Sequence, residues 1–254
     1  MTSLLVHGEG ATAALHALAA QDAGFTRVAS GSDIVVVAAS AADPLSLACD
    51  GLARGAKVLV DPPLSSAALR ELMAADAGRS LLWWGDQRRY APAWVVAAST
   101  APVDTSHVSV VASRPNDPNE GSDPVRVLGP AALAAVETLL GSVVDLSVEP
   151  DAVGTTVHVA AARGTAQLRL EFVAHTSDAY WHAQAAGAQG VVSVELAPHT
   201  LLERDGEPIE VRDRHRTSDV RLERLGFIDQ LLAVADGRGQ VDAADLRRLE
   251  LLGC

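Results

Sequence analysis

Apolar residues follow two different rhythms along this chain. In the first third they form short continuous runs separated by helical stripes. Residues 4–7 (LLVH) are a short strand, and an alanine- and leucine-rich helix follows the glycine-containing turn after it, to about Ala20. Residues 25–29 (FTRVA) read as a second short strand. Residues 33–39 (DIVVVAA) are uninterrupted apolar sequence with three adjacent valines, the signature of a parallel strand covered on both faces. Leu45, Leu47, Ala48 and Leu52 make a helical stripe over 44–54, which Gly55 ends. Val58-Leu59-Val60 is the next buried strand, and Asp61-Pro62-Pro63 stops it because proline has no N–H for a central ladder. A helix over 66–77, capped by Ser65-Ser66 and striped by Leu69, Leu72 and Met73, ends at Gly78 and leads to a strand at 80–84. Strand–helix–strand units of this kind build a parallel sheet whose ligands lie beyond the carboxyl ends of the strands. Here those ends are Ala39-Ser40-Ala41 and Asp61-Pro62-Pro63.

From residue 107 the rhythm changes to alternation. Residues 107–114 (HVSVVASR) form a strand, 115–124 (PNDPNEGSDP) a polar loop, and 126–141 a helix. Strands are predicted at 143–149, 155–163, 166–175, 179–187 and 190–198, with a last piece near Ile209–Val211. Gln167 to Phe172 alternate strictly, as in an open antiparallel sheet with one buried face. Arg204-Asp205-Gly206-Glu207 is a hairpin turn. Residues 220–235 form one amphipathic helix carrying Leu222, Leu225, Phe227, Ile228, Leu231 and Leu232.

The formal charge of −12 over 254 residues argues against general nucleic-acid binding, which needs a cationic surface. Arg212, Arg214, Arg216, Arg221 and Arg224 lie close in sequence, but acids interleave them, so they read as a solvated mixed-charge face. Lys57 is the single lysine, at the start of a buried strand. Cys49 and Cys254 make no disulfide framework. No apolar run approaches a membrane span, and the opening MTSLLVHGEG lacks the basic region and apolar core of a signal peptide, so the expected location is the cytoplasm. The eight histidines are scattered without metal-ligand spacing, and His158, His175 and His182 fall on strands, so no metal site is expected. There is no nucleophile elbow and no P-loop.

Gly8-Glu9-Gly10-Ala11-Thr12-Ala13 sits between a strand and a helix, the context that makes G-x-G-x-x-A a dinucleotide fingerprint. Glu9 places a carboxylate where a pyrophosphate would sit. A dinucleotide fold also expects an acid about 20 residues further on, closing the second strand to bind the ribose. Here Ser30-Gly31-Ser32 follow that strand at once, and the nearest acid, Asp33, opens the next.

The pattern from Asp33 through Ala38 and from Gly55 through Leu64 resembles the nucleotide-binding domain of the glucose-fructose oxidoreductase / inositol dehydrogenase (Gfo/Idh/MocA) family. In that family the corresponding strand closes with Glu-Lys-Pro, and the lysine belongs to the active site; this chain has Asp61-Pro62-Pro63. Arg89, Tyr90 and Pro92 match a family Arg-aromatic-x-Pro segment. The family's Asp-x-Gly-x-His-x-x-Asp pattern, aligned on Leu139-Leu140-Gly141, keeps Gly129 and places Val127, Ala131 and Ala134 at its titratable positions. Gly187 to Gly190 resembles a family turn, and the closing GRGQVDAADLRRLELL resembles its last segment. The resemblance covers nearly the whole chain. It implies an α/β protein: a shortened Rossmann-like parallel sheet domain (1–104) followed by an α+β domain with an open, mainly antiparallel sheet (105–254). It implies NAD(P) as the cofactor, with Gly8, Gly10, Ala39, Ser40, Asp61 and Pro62 around it and Arg89 and Tyr90 beside the substrate. Glu9 and the shortened interval count against retention of the nucleotide. The peptide bond before Pro63 is expected to be cis, as is common in the family.

None of the family's proton-transferring side chains remains, so the expected function is an oxidoreductase-like protein without the usual catalytic residues, in a binding, regulatory or scaffolding role. The alternative is an active NAD(P)-dependent oxidoreductase on a sugar or polyol that uses other groups, such as Tyr90 or His182. The partners implied are further copies of the chain, through the second domain's sheet, or a paralogous subunit.

Overall fold

The computed structural model describes residues 2–115, 123–173 and 179–254. Residues 116–122 of the expected polar loop, and His175, lie outside them. The chain forms two compact units: Met1–Tyr90 with Arg214–Glu250 and Cys254, and Ala91–Asp213 with Leu251–Gly253. This division differs from a cut at 104/105. The chain comes back to the first unit at Arg214, because the closing helices bury apolar faces on the first sheet.

The first unit holds strands β1 (Ser3–His7), β2 (Thr26–Arg27), β3 (Ile34–Val37), β4 (Lys57–Val60) and β5 (Leu82–Trp84). They form one sheet in the order β2-β1-β3-β4-β5, and every pairing is parallel. The usual dinucleotide order is 3-2-1-4-5-6. The present order corresponds to that sheet with its outer strand and the preceding helix removed, as the short interval after residue 29 indicates. Helices α1 (Gly10–Asp22), α6 (Val220–Arg224) and α7 (Phe227–Ala235) cover one face. Their core with the sheet includes Leu4, Ala19, Ile34, Leu59, Trp83 and Phe227. The other face is covered by α2 (Pro44–Ala53), α3 (Ser66–Asp76) and α8 (Ala243–Leu251) around Val35, Leu52, Val58, Leu72 and Leu249.

Local signals act as expected at several places. Asp43 and Ser65 cap α2 and α3 by accepting from Ser46 N–H (3.1 Å) and Ala68 N–H (3.1 Å). The α3 end differs slightly: Ala77 (φ 50°) takes the first left-handed position, ahead of Gly78 (φ 74°). The single helix expected over 220–235 is two helices. Gly226, at φ 80°, breaks it between α6 and α7 because that conformation cannot continue a right-handed helix.

The second unit holds α4 (Pro92–Thr100), β6 (His107–Pro115), α5 (Pro124–Leu140), β7 (Val143–Pro150), β8 (Gly154–Ala161), β9 (Gly164–Val173), β10 (Tyr180–Gly187), β11 (Gly190–Ala197), β12 (Leu201–Arg204) and β13 (Glu207–Pro208). The eight strands run in the order β13-β12-β11-β10-β6-β9-β8-β7. All neighbours are antiparallel except β6 and β9. Asp205 (φ 54°) and Gly206 (φ 83°) make the β12–β13 turn, both left-handed as a tight hairpin requires. The last strand sits at Glu207–Pro208, earlier than Ile209–Val211. After Ile209 N–H donates to Leu202 (2.8 Å), its partner strand runs out.

Helices α4 and α5 cover one face of this sheet, where Val108, Val110, Leu168, Leu170, Ala183 and Val194 are buried. The opposite face carries Ser109, Gln167, Gln184, His182, Ser193 and Glu195. It is largely polar, with Val111, Val191 and Leu201 scattered across it, where a continuous uncovered apolar face would have demanded a partner.

Candidate functional site

The turn between β1 and α1 has the backbone of a dinucleotide loop. Gly8 (φ 117°) and Gly10 (φ 86°) both adopt conformations that L-residues avoid. A Cβ on Gly8 would lie 2.9 Å from Ser40 Oγ and 3.0 Å from Ala38 Cβ, so the turn rests against the end of β3. A Cβ on Gly10 would meet nothing within 4 Å, which leaves that side open to a ligand. Ala39 and Ser40 follow β3 at the point where the strand order reverses, the usual ligand crevice of such sheets.

Ser40 ties this loop down. Its Oγ accepts from Glu9 N–H (3.0 Å), and its hydroxyl donates back to the Glu9 carbonyl. The Glu9 amide, one of the donors that could otherwise turn toward a phosphate, is thus engaged inside the protein. Glu9 occupies the N-cap of α1 without its side chain capping any helix N–H. A cleft of about 480 Å³ runs along the flank of α1, lined by Gly8, Glu9, Gly10, Ala14, Leu18 and Arg27.

Asp61 is not open to a ligand. It follows β4, its N–H donates to Val37 (3.0 Å), and its carboxylate is buried. His16 Nε2 lies 2.9 Å from Asp61 Oδ2 and 3.1 Å from Oδ1. His16 is fully buried in α1, edge-on to Phe227 with ring centroids 5.0 Å apart. Sequence reasoning passed over His16. The available signal was its helical phase: it shares a face with Ala13, Ala19 and Ala20, all buried. A histidine on such a face needs a polar partner, and Asp61 is the acid that closes a central strand. Pro62 is half-buried, and the Pro62–Pro63 bond is cis.

Arg89 and Tyr90 lie in a short 3-10 turn, Gln87–Tyr90. The Arg89 guanidinium donates to the Gly239 carbonyl (2.9 Å) and stacks over the Tyr90 ring at 5.1 Å. Both are held by the returning C-terminal segment. Gly8, Gly10, Ala39 and Ser40 are therefore brought together, whereas Asp61 is drawn inward to His16 and Arg89 is bonded to Gly239.

In the second unit, Val127 and Ala131 are buried on α5 and Ala134 is half-buried. Gly129 has a packing role, since a Cβ there would lie 2.9 Å from Leu252 Cδ1. His182 projects from the uncovered sheet face. Its Nε2 is 2.7 Å from Ser193 Oγ, and its ring stacks on Tyr180 at 6.4 Å. Burial holds the imidazole below its ordinary value of 6.5, against the opposing pull of Glu195 and Glu203. A base with a depressed folded value binds its proton more readily when unfolded, so its contribution is present above the unfolded value and is lost as pH falls below it. We therefore expect the melting temperature to fall as pH drops through about 6.5, and this fall to be smaller in His182→Gln. Identical pH profiles for the two proteins would contradict this assignment.

A parallel dinucleotide-type sheet joined to an open mixed sheet backed by two helices is the fold of the Gfo/Idh/MocA-type dehydrogenases, and solved structures bear this out. No family model matches the sequence, and no curated protein matches it. GenD2 from gentamicin A biosynthesis, solved in complex with NAD, aligns over 99% of this chain and 92% of its own at 20% identity, with a TM-score of 0.73. The aldose-aldose oxidoreductase of Caulobacter crescentus, complexed with glycerol, aligns over 99% and 95% at 14% identity and TM-score 0.76. A myo-inositol dehydrogenase of Corynebacterium glutamicum aligns over 100% and 95% at 17% identity and TM-score 0.70. The likeness is one of fold. Among the described residues, no helix is long and apolar enough to cross a membrane.

Proposed function

We propose that this protein keeps the Gfo/Idh/MocA-type dehydrogenase fold in a non-catalytic binding, regulatory or scaffolding role, and that it is cytoplasmic. The observation that carries the reading is the set of side chains that stand at the positions of the family's proton-transferring residues: Pro62, Val127, Ala131 and Ala134. None of these can give or take a proton, and hydride transfer to or from an alcohol carbon requires a group that does so at the neighbouring oxygen.

The nucleotide loop supports the same reading. NAD(P) is the cofactor that the fold suggests, and GenD2 holds NAD. In this chain Glu9 brings a negative charge to the loop and Ser40 engages the Glu9 amide. The strand that would close with a ribose-binding acid ends at Arg27 instead. The active alternative gains nothing from His182, which lies on the sheet face turned away from α5. Self-association through that face remains part of the proposal; the contact would be built from polar side chains such as Ser109, Gln184 and Ser193.

Calorimetric titration with NAD+, NADH, NADP+ and NADPH tests the proposal. We expect no saturable binding up to about millimolar nucleotide, the range where affinity falls to roughly 4 kcal/mol. Micromolar binding accompanied by nicotinamide turnover on any member of a sugar and polyol panel would overturn it.

A further inference from the structure

Outside the nucleotide crevice, the first unit gathers three metal-competent side chains on its return segment. His215 precedes α6, Glu223 belongs to α6, and Asp229 belongs to α7. In one continuous helix, residues six apart would be offset by about 9 Å along the axis and point in different directions. The left-handed break at Gly226 removes that separation. His215 Nε2 lies 3.1 Å from Asp229 Oδ1 and 3.9 Å from Glu223 Oε2. One ligand atom from each of the three residues fits within 4.8 Å of the others.

The Glu223 carboxylate makes this more than an acidic cluster. It is 3% exposed. Its Oε1 accepts the Arg214 backbone N–H at 2.6 Å, while Oε2 points at His215 from a distance too long for a hydrogen bond. The imidazole bonds Asp229 Oδ1 instead, and a cation placed where the three groups converge would engage this second Glu223 oxygen together with both of them. The loop bearing His215 is already anchored, because Ser218 donates through its N–H (2.7 Å) and its hydroxyl (2.8 Å) to Asp22.

We propose that His215, Glu223 and Asp229 form a site for a divalent transition metal of the Zn2+ class. One imidazole and two carboxylates favour such an ion over Mg2+ or Ca2+, which take oxygen-only shells. Metal bonds of 2.0–2.1 Å in tetrahedral array put ligand atoms roughly 3.4 Å apart, so movements under about 1 Å close the set. His215 and Asp229 are partly exposed, which leaves a fourth position for water. One charge opposes the ion: Arg214 Nη1 sits 3.5 Å from Asp229 Oδ2. This side chain is half-exposed and can turn outward, while its backbone N–H keeps Glu223 in place.

Titrating chelator-treated full-length protein with Zn2+ alone, and separately with Co2+, tests the site. We expect one ion per chain, a Co2+ spectrum without a thiolate charge-transfer band, and binding at least about tenfold weaker in His215→Gln and in Asp229→Asn. Arg214→Gln should bind about tenfold more tightly, because it removes a nearby positive charge. If one of the ligand variants does not fold, the other and Arg214→Gln still decide. Absence of stoichiometric binding, or binding unchanged in these variants, would overturn the proposal.

Discussion

Replacing Trp83 with alanine is expected to destabilise the first unit by about 4 kcal/mol and to lower its melting temperature by roughly 8–16 °C. Trp83 is 1% exposed and stands in the middle of β5. Its ring fills the core formed by α1, α7 and the sheet, so truncation opens a large cavity that close-packed neighbours refill only in part. Its Nε1–H also donates to the Arg238 carbonyl at 2.8 Å. That bond fastens the return segment beside two others, Val241 N–H to Leu82 (2.9 Å) and Gln230 Nε2 to Trp84 (3.1 Å). Trp83→Phe separates the two contributions. It retains much of the volume and loses the donor, for about 1–2 kcal/mol. Hydrogen exchange should show the Arg238 and Val241 amides opening sooner in Trp83→Ala. A loss within about 1 kcal/mol of the wild type would mean that the returning helices do not depend on this residue.

Replacing His16 with alanine is expected to lose about 3–5 kcal/mol, because it leaves the buried Asp61 carboxylate without its partner. Asp61→Asn should be milder, at about 1–2 kcal/mol, since an amide can still bond to the imidazole. The distinguishing measurement is a double-mutant cycle with His16→Ala and Asp61→Ala. The combined loss should fall short of the sum of the single losses by at least about 1 kcal/mol. Additivity within about 0.5 kcal/mol would show that the pair is not energetically joined, and that the burial of Asp61 has another explanation. The pair also bears on function. While it is intact, Asp61 is committed to α1, which supports reading the carboxyl end of β4 as a structural joint.

Some parts of this architecture were legible because they depend on local chemistry. The valine run at 35–37 must be covered on both faces. Pro62 and Pro63 must end a central strand, and Gly8 and Gly10 permit a turn that other residues resist. The alternation of Gln167 to Phe172 assigns one face to the core. The loss of an outer strand was also visible, as an interval too short to hold it.

Other features depended on which distant residues meet. The pattern of apolar positions over 220–235 fits one helix or two, and the left-handed Gly226 decides for two. His16 and Asp61 are 45 residues apart. Their pairing follows from α1 lying across the sheet beside β4, which neither residue announces alone. The same holds for the recovery of residues 214–250 by the first unit, which rests on contacts such as Trp83 with Arg238.

The sequence by itself determined the parallel sheet, the turn at Gly8 to Gly10, the alternating second sheet and the absence of titratable side chains at Pro62, Val127, Ala131 and Ala134. These are matters of residue type and short-range spacing, where proline, glycine and hydrophobic period act directly. Only the tertiary structure decided that Asp61 turns inward to His16, that Ser40 engages the Glu9 amide, that the open sheet face is largely polar and that His215, Glu223 and Asp229 converge. Each of these depends on packing that brings together groups far apart in the chain, and the direction of a buried polar side chain is set by the partner it finds there.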